Sequence, residues 1–232
     1  MSPSVRRVSR SALSRPDNRS LITNNSVRSS EPAAFTLIEL LVVISIIAIL
    51  IGLLFPAFKG VQDQARKTQA KNDLQQIVTA INAFYTEYGQ YPCGAQGGGD
   101  SADFFTANDT DRKNLFDELR VPFPNTPPSL NPKGVVFYQP PVVKNDNAGQ
   151  RKGGVGNDGI VYDPWGTAYR LKIDNNYNGV ITNPYTTNAG FAAINTGVIA
   201  WSFGKDGQSQ SDPGPAPDKK SGTNEDDVLS WQ

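Results

Sequence analysis

An apolar segment near the N-terminus, interrupted by a single acidic residue, constrains this chain more than any other feature. From Leu40 to Ala57 no residue is charged, and about 18 such residues suffice to cross a bilayer core of about 30 Å as a helix. We therefore predict a transmembrane helix segment over residues 35–57. Glu39 lies near its start. A carboxylate within a membrane helix costs roughly 2.5 to 3.5 kcal/mol on insertion scales, so a compensating partner is expected.

Residues 1–34 form a basic, polar leader without hydrophobic patterning. Its only acidic residues are Asp17 and Glu31, against arginines at six positions. Positive flanks stay in the cytoplasm, so we expect a single-pass protein of the cytoplasmic (inner) membrane with a periplasmic C-terminal part. A secretory signal places its small-residue cleavage site after the apolar core, whereas here small residues ending at Ala34 precede it. Cleavage between Ala34 and Phe35 would leave the helix on the mature protein.

Glu39 and Pro56 each admit two interpretations. After cleavage the α-amine of Phe35 would begin the helix, and an amine docked beside the Glu39 of a neighbouring copy would give both charges a partner in apolar surroundings. Alternatively, Glu39 extends towards the headgroups. Pro56 either marks the outer membrane edge or lets the helix unwind locally, because proline removes one backbone hydrogen bond.

Beyond Pro56 the sequence predicts an amphipathic helix over residues 58–91. Apolar residues recur at steps of three and four, while polar residues mostly occupy the other face. Gly89 and Pro92 end the pattern. The apolar stripe consists of Leu74, Ile77, Val78, Ile81, Phe84, Tyr85 and Tyr88.

Residues 92–232 are expected to form one small globular domain rich in Gly, Pro and Asn loops. We predict an α+β fold in which the long N-terminal helix, transmembrane and then amphipathic, packs against a small antiparallel sheet, with a loop-rich C-terminus. A brief helix is predicted over 111–119. Regular structure is expected to resume at 135–138, and strand character is strongest over 159–162, 169–173 and 198–203.

Composition excludes several functions. The chain has no His, which excludes Ser-His-Asp catalysis and His-based metal sites. Cys93 is the single cysteine, so no intrachain disulfide can form. The formal net charge is zero, and removal of the leader, with six Arg and two acids, leaves −4. No basic patch remains, so we expect no nucleic-acid partner. Because the sequence offers neither His nor a convincing nucleophile or carboxylate pair, we also expect no enzyme.

The string from Phe35 to Glu39, preceded by Ala34 and followed by Pro56, resembles the class III signal of type IV pilins and type II secretion pseudopilins. The resemblance implies that a prepilin peptidase cuts between Ala34 and Phe35 and that Phe35 is N-methylated. It also implies that Glu39 and Pro56 serve filament assembly. That family usually has Gly before the cut, where this chain has Ala34.

Two later passages are similar to the major (G-type) pseudopilin of type II secretion systems. They are the turn from Asp163 to Gly166, and residues 202–207 with the acidic loop that ends at 225–231. The resemblance implies a structural Ca²⁺ ion in that loop, and a solvated acidic tail is the alternative. The implied ligands are the side chains of Asp206 and Asp227 and the carbonyl of Phe203, with Asp226 and Glu225 as additions.

The same comparison reveals two departures from the family. Residues 212–220 make the acidic loop longer and more basic than expected, and residues 175–196 resemble an insertion with a role in partner specificity. Residues 174–181, which overlap its start, imitate the first eight positions of an EF-hand loop. Position 12 is Tyr185, where a bidentate Glu is needed. A tight Asn-Gly turn between strands explains the same residues.

The resemblance implies a structural subunit of a pseudopilus that drives protein export through the type II secretion system. Its partners would be further copies in a helical filament, the prepilin peptidase, the inner-membrane platform and minor pseudopilins. A type IV pilin or minor pilin for adhesion or DNA uptake is the first alternative. A membrane-tethered enzyme or carbohydrate-binding module is the second, with Trp165 or Trp201 as candidates for stacking on sugar.

Overall fold

The structure, a computed structural model, describes residues 35–93, 104–106, 108–120, 130–147, 149–208 and 216–232. The leader, the cleavage residue Ala34 and the loop residues 209–215 lie outside the described residues. The chain divides into two compact units, Met1–Leu50 and Ile51–Gln232.

Helix α1 comprises Leu37–Tyr88. Its first part, Leu37–Phe55, has 19 residues with a mean hydropathy of 3.1, and none of that segment is buried. Within the part of the chain that the structure describes, this is the one helix long and apolar enough to cross a membrane. The location agrees with the transmembrane segment predicted over 35–57, and the segment fits a single-pass membrane anchor.

Among its described residues, the second unit contains a second helix and ten short strands. Helix α2 is Asp109–Arg120, which confirms the helix predicted over 111–119. A single 3-10 turn, Gly222–Asn224, precedes the last strand. The strands are β1 (Phe104–Phe105), β2 (Gly154–Val155), β3 (Val161–Tyr162), β4 (Arg170–Ile173), β5 (Ile181–Thr182), β6 (Tyr185–Thr187), β7 (Ala193–Ile194), β8 (Val198–Ser202), β9 (Ala216–Asp218) and β10 (Val228–Leu229).

Four of the strands form a central antiparallel sheet in the order β1-β4-β8-β10. The pairs β2-β3 and β5-β7 are antiparallel, whereas β6-β9 is parallel. The strands predicted over 169–173 and 198–203 are confirmed, and the one over 159–162 is shorter than predicted. No strand forms over 135–138, because the N–H groups of Phe137 and Tyr138 both donate to the carbonyl of Leu119.

The main core lies between α1 and the central sheet. The predicted apolar stripe is confirmed at its centre, since Leu74, Ile77, Ile81 and Phe84 are fully buried. Tyr85 instead remains 39% exposed. The sheet side of this core is formed by Leu171, Ile173, Val198 and Ala200.

A glycine, Gly89, terminates helix α1. Tyr88 is the last residue of α1, and Gly89 has φ of +69°, a left-handed value that terminates helices at low cost only for glycine. The N–H of Gly89 donates to the carbonyl of Tyr85 at 2.8 Å. The predicted stop is thus confirmed.

A second core covers the other face of β8. All five residues of β8 are buried, which explains why its first four residues form an uninterrupted apolar run and not an alternating pattern. Residues 181–189, from the apparent insertion, supply three of its members. The second core consists of Ile181, Tyr185, Ala189, Ile199, Trp201, Phe203 and Leu229.

The turn that begins at Asp163 is hydrogen-bonded to the central sheet through the carboxyl group of Asp163. The Oδ1 atom of Asp163 accepts hydrogen bonds from the N–H groups of Trp165, Gly166 and Thr167 at 2.9, 2.7 and 2.9 Å. Its Oδ2 accepts one from the hydroxyl of Ser202 in β8 at 2.5 Å. Asp163 is fully buried, and that burial raises the pKa of its carboxyl. Four donors therefore compensate for the loss of water around this group.

We predict that Asp163→Ala lowers the free energy of unfolding by about 3 to 5 kcal/mol, because it leaves buried donors without their acceptor. Denaturant titration of the full chain in detergent measures the change. The control Glu87→Ala removes a carboxylate that is 40% exposed and whose partner, Lys133, is 62% exposed, and it should cost less than about 1 kcal/mol. Equal effects of the two substitutions would contradict the central role of the Asp163 turn.

A second prediction concerns Asp73 on α1, whose Oδ2 accepts a hydrogen bond from the Tyr169 hydroxyl at 3.0 Å. Burial raises the pKa of Asp73. Asp73 in the folded state therefore keeps its proton up to a higher pH than Asp73 in the unfolded chain. Above the ordinary pKa of about 3.9, this difference lowers the free energy of unfolding. Asp73→Asn keeps an acceptor for Tyr169 and should raise the Tm near neutral pH. The gain should shrink as the pH falls towards about 4, and a less stable variant at neutral pH would contradict this account.

Candidate functional site

The first candidate site is the beginning of α1. Phe35 is 76% exposed. The Oε2 atom of Glu39 accepts hydrogen bonds from the N–H and the hydroxyl of Thr36 at 2.9 and 2.7 Å, and Thr36 Oγ1 accepts one from the N–H of Glu39 at 3.2 Å. This reciprocal arrangement is a capping box, which satisfies donors that a helix end leaves unpaired.

The capping box gives Glu39 a partner within its own chain, and the sequence analysis missed it. The signal was available, because Thr followed three residues later by Glu before an apolar run is a signature of a helix start. The donor N–H of Thr36 belongs to the peptide that follows Phe35, so the carboxylate is held within one residue of the predicted mature N-terminus. The pairing of Glu39 with a neighbour's amine stays a prediction.

Pro56 lies inside α1, which continues through it without a break. The suggested unwinding at this position concerns helices packed in a filament. It therefore stays a prediction, as does the membrane-edge interpretation.

The second candidate site is the loop between β8 and β10. One oxygen of Asp226 accepts hydrogen bonds from the N–H groups of Lys205 and Asp206, the latter at 3.0 Å. Asp206 Oδ1 accepts one from the N–H of Gln208 at 2.8 Å. Asp206 thus stabilises its own turn, whereas Asp226 connects its segment to the residues that follow β8. Phe203 is buried in the second core.

Asp227 is the most buried of the predicted acidic ligands. Its Oδ2 accepts a hydrogen bond from the hydroxyl of Tyr185 at 2.6 Å, and its Oδ1 is buried without a hydrogen-bond partner among the described residues. Burial raises the pKa of Asp227 to about 7, and the charges of Asp226 and Asp206 act in the same direction. A nearby positive charge would stabilise this carboxylate.

Lys219 supplies that positive charge. Its Nζ donates hydrogen bonds to the carbonyl oxygens of Asn224 and Glu225, each at 3.0 Å. Burial lowers the pKa of Lys219, while the charge of Asp227 raises it. The basic character of this loop is visible in the sequence, but the contacts of Lys219 are not.

The predicted calcium ligands do not assemble into a site. Ca²⁺ takes roughly six to eight oxygen ligands at about 2.3 to 2.6 Å. Over the described ranges, no three His, Cys, Asp or Glu side chains are grouped so that they could hold a metal ion. The unpaired Oδ1 of Asp227 suits a cation, but the carbonyls of Asn224 and Glu225 already bind an ammonium group. The described residues therefore do not fit the implied ion, and calcium binding stays a prediction.

The EF-hand-like segment, residues 174–181, forms a tight turn between β4 and β5 that is held by hydrogen bonds within the segment. The carboxylate of Asp174 accepts hydrogen bonds from the N–H groups of Asn178 and Gly179 at 3.1 and 2.7 Å. Asn178 Oδ1 in turn accepts one from the N–H of Val180 at 2.8 Å. Backbone donors thus occupy oxygens that an ion would need, which favours the Asn-Gly turn.

The aromatic side chains proposed for sugar binding are largely withdrawn from solvent. Trp201 is 4% exposed, and its ring stacks on that of Phe105 at a centroid distance of 5.8 Å. Trp165 is half-buried, with a buried indole nitrogen. Trp201 is therefore unavailable for stacking on a carbohydrate.

The comparisons with known proteins agree with the N-terminal geometry. Residues 32–55 match the family described as the prokaryotic N-terminal methylation motif. The chain is 37% identical over 67 residues to the type II secretion system core protein G of Pseudomonas aeruginosa, which covers 29% of this chain and 47% of that protein. It is 39% identical over 57 residues to the type IV major pilin protein PilA of Myxococcus xanthus, covering 25% of this chain and 26% of that protein.

These matches confirm the resemblance to type II secretion pseudopilins and type IV pilins. The chain spans less than half the length of each of these curated relatives. No solved structure matches the chain significantly. The chain is thus a pilin-like protein with a prepilin-type N-terminal segment.

Proposed function

We propose that this chain is a non-enzymatic, structural subunit of a pseudopilus that drives protein export through the type II secretion system. The observation that carries the proposal is the exposed apolar helix Leu37–Phe55, preceded by a capped first turn that contains Glu39. Such a helix is stable in lipid, and in water only when other apolar surfaces cover it. A filament of identical helices provides that cover.

In this proposal the prepilin peptidase cuts between Ala34 and Phe35 and Phe35 is methylated. The leader stays on the cytoplasmic side of the inner membrane, and the domain after α1 lies in the periplasm. Successive copies then pack their helices into a filament in which each new N-terminal amine meets the Glu39 of a neighbour. The inner-membrane platform and minor pseudopilins are the further proposed partners.

Two observations support export over a surface pilus. The matched region covers a larger share of the secretion-system relative than of the pilin. The turn from Asp163 to Gly166, which marks the resemblance to the major pseudopilin, is the centre of a buried hydrogen-bond network. A type IV pilin remains the alternative, because it shares the N-terminal segment.

Three substitutions separate the charge of Glu39 from its role in the capping box. Glu39→Gln keeps an acceptor for Thr36 and removes the charge, Glu39→Ala removes both, and Thr36→Ala removes the cap while it keeps the charge. If the carboxylate pairs with an amine, both Glu39 variants should reduce filament yield by at least about tenfold, which corresponds to about 1.4 kcal/mol. Thr36→Ala should assemble nearly as wild type.

The measurement is the amount of filament sheared or cross-linked from cells, together with the amount of exported protein. Mass spectrometry of each membrane-extracted variant should find a mature N-terminus at methylated Phe35. Glu39→Gln filaments at wild-type yield would refute the charge pairing. Loss of surface fibres with undiminished export in a deletion strain would favour the pilin alternative instead.

A further inference from the structure

We propose that residues 216–231, called the C-terminal loop below, are held in place by an internal cation, the ammonium group of Lys219, together with the apparent insertion, and that their folding needs no bound metal ion. The inference goes beyond the proposed function and holds for either kind of filament. It concerns the loop in which the family resemblance implies calcium.

The ammonium group of Lys219 occupies the position of a loop-ordering cation. Its two acceptors, the carbonyls of Asn224 and Glu225, directly precede the carboxylates of Asp226 and Asp227. Carbonyls and carboxylates are also the oxygens that a calcium ion would use. Lys219 thus places a positive charge against the backbone of the segment that carries Glu225, Asp226 and Asp227.

The apparent insertion holds the start of the loop by backbone pairing. Strand β6 pairs with β9 in parallel, with Tyr185 opposite Ala216 and Thr187 opposite Asp218. The N–H of Lys219 continues this ladder by donating to the carbonyl of Thr187 at 3.1 Å. The stem of Lys219 is therefore fixed at its backbone before its ammonium group reaches the two carbonyls.

The same insertion holds the end of the loop. The hydroxyl of Tyr185 donates to Asp227 at 2.6 Å, and the indole N–H of Trp231 donates to the carbonyl of Ala189 at 2.8 Å. Tyr185 is almost fully buried, so its contact with Asp227 is protected from water. Residues 185–189 thus contact both ends of the loop, which is the task that a bound metal ion would perform.

The electrostatic surroundings disfavour an added divalent cation. Lys67, Lys71 and Lys219 line a cleft of about 390 Å³ that also contains Asp227. Lys71 Nζ donates to the carbonyl of Leu229 at 2.6 Å, so a second ammonium group holds the strand that follows. These three positive charges outnumber Asp227, the one acidic side chain of the described lining, so on balance they would repel a Ca²⁺ ion that entered the cleft.

The test is thermal unfolding of the full chain in detergent, followed by the fluorescence of Trp201 and Trp231, which lie in or against the second core. The wild-type Tm should agree within about 1 °C between excess EDTA and millimolar CaCl2. A metal ion bound at a hundred times its dissociation constant would instead raise the Tm by several degrees. Such a rise would overturn the proposal.

A matched pair of variants tests the ammonium group itself. Lys219→Met keeps the length of the side chain and removes the charge, and it should lower the Tm by about 3 °C or more in both buffers. The control Lys220→Met removes the same charge from the exposed neighbouring residue and should stay within about 1 °C of wild type. Equal Tm values for the two variants would refute the role of Lys219.

The proposal remains testable if Lys219→Met does not accumulate as a folded protein. The wild-type comparison between EDTA and CaCl2 needs no variant and can overturn the proposal by itself. Tyr185→Phe, which removes only the hydroxyl that contacts Asp227, supplies an independent measurement. It should lower the Tm equally with and without CaCl2, whereas recovery of its Tm on addition of CaCl2 would contradict metal independence.

Discussion

Strand β8 is buried on both of its faces, and the coverage of those faces determines the architecture of the second unit. Val198 and Ala200 contact the core that α1 completes, while Ile199 and Trp201 contact the second core. A strand of this kind needs an apolar layer on each side. Helix α1 supplies one layer, and the apparent insertion with the C-terminal strand supplies the other. The insertion is thus a structural part of the domain as well as a candidate for partner specificity.

The buried carboxyl of Asp163 makes the arrangement of these layers specific. Apolar packing is tolerant of small shifts, whereas a buried carboxyl with four donors is satisfied in only one arrangement of the turn and β8. Ser202, at the end of β8, contributes one of the donors. Tyr169, two residues after Thr167, makes a separate hydrogen bond to Asp73 on α1. Helix, turn and sheet are therefore connected by polar contacts at the edge of the main core.

The sequence was sufficient wherever a local pattern determined the structure. The period of three and four residues from Leu74 to Phe84 identified the buried face of α1, and Gly89 identified its end. The second core was not predictable in this way, because Ile181, Tyr185 and Ala189 are spaced four residues apart, as on one face of a helix. They lie instead on two short strands, β5 and β6, and just after β6. The parallel β6-β9 pair joins short segments that are distant in sequence, and no periodicity signals such a contact. The role of Lys219 depends on those same contacts and was missed for that reason.

The capping box changes the energetics of the proposed assembly step. A single chain has to persist in the membrane before it meets a neighbour, and a carboxylate without partners would be costly there. Thr36 removes part of that cost by donating two hydrogen bonds to Glu39. The free energy gained when a neighbour's amine arrives is then the difference between two partnered states, which is smaller than the Coulomb attraction of two bare charges. In the proposed filament each such pairing would therefore add a modest free energy to the apolar packing of the helices.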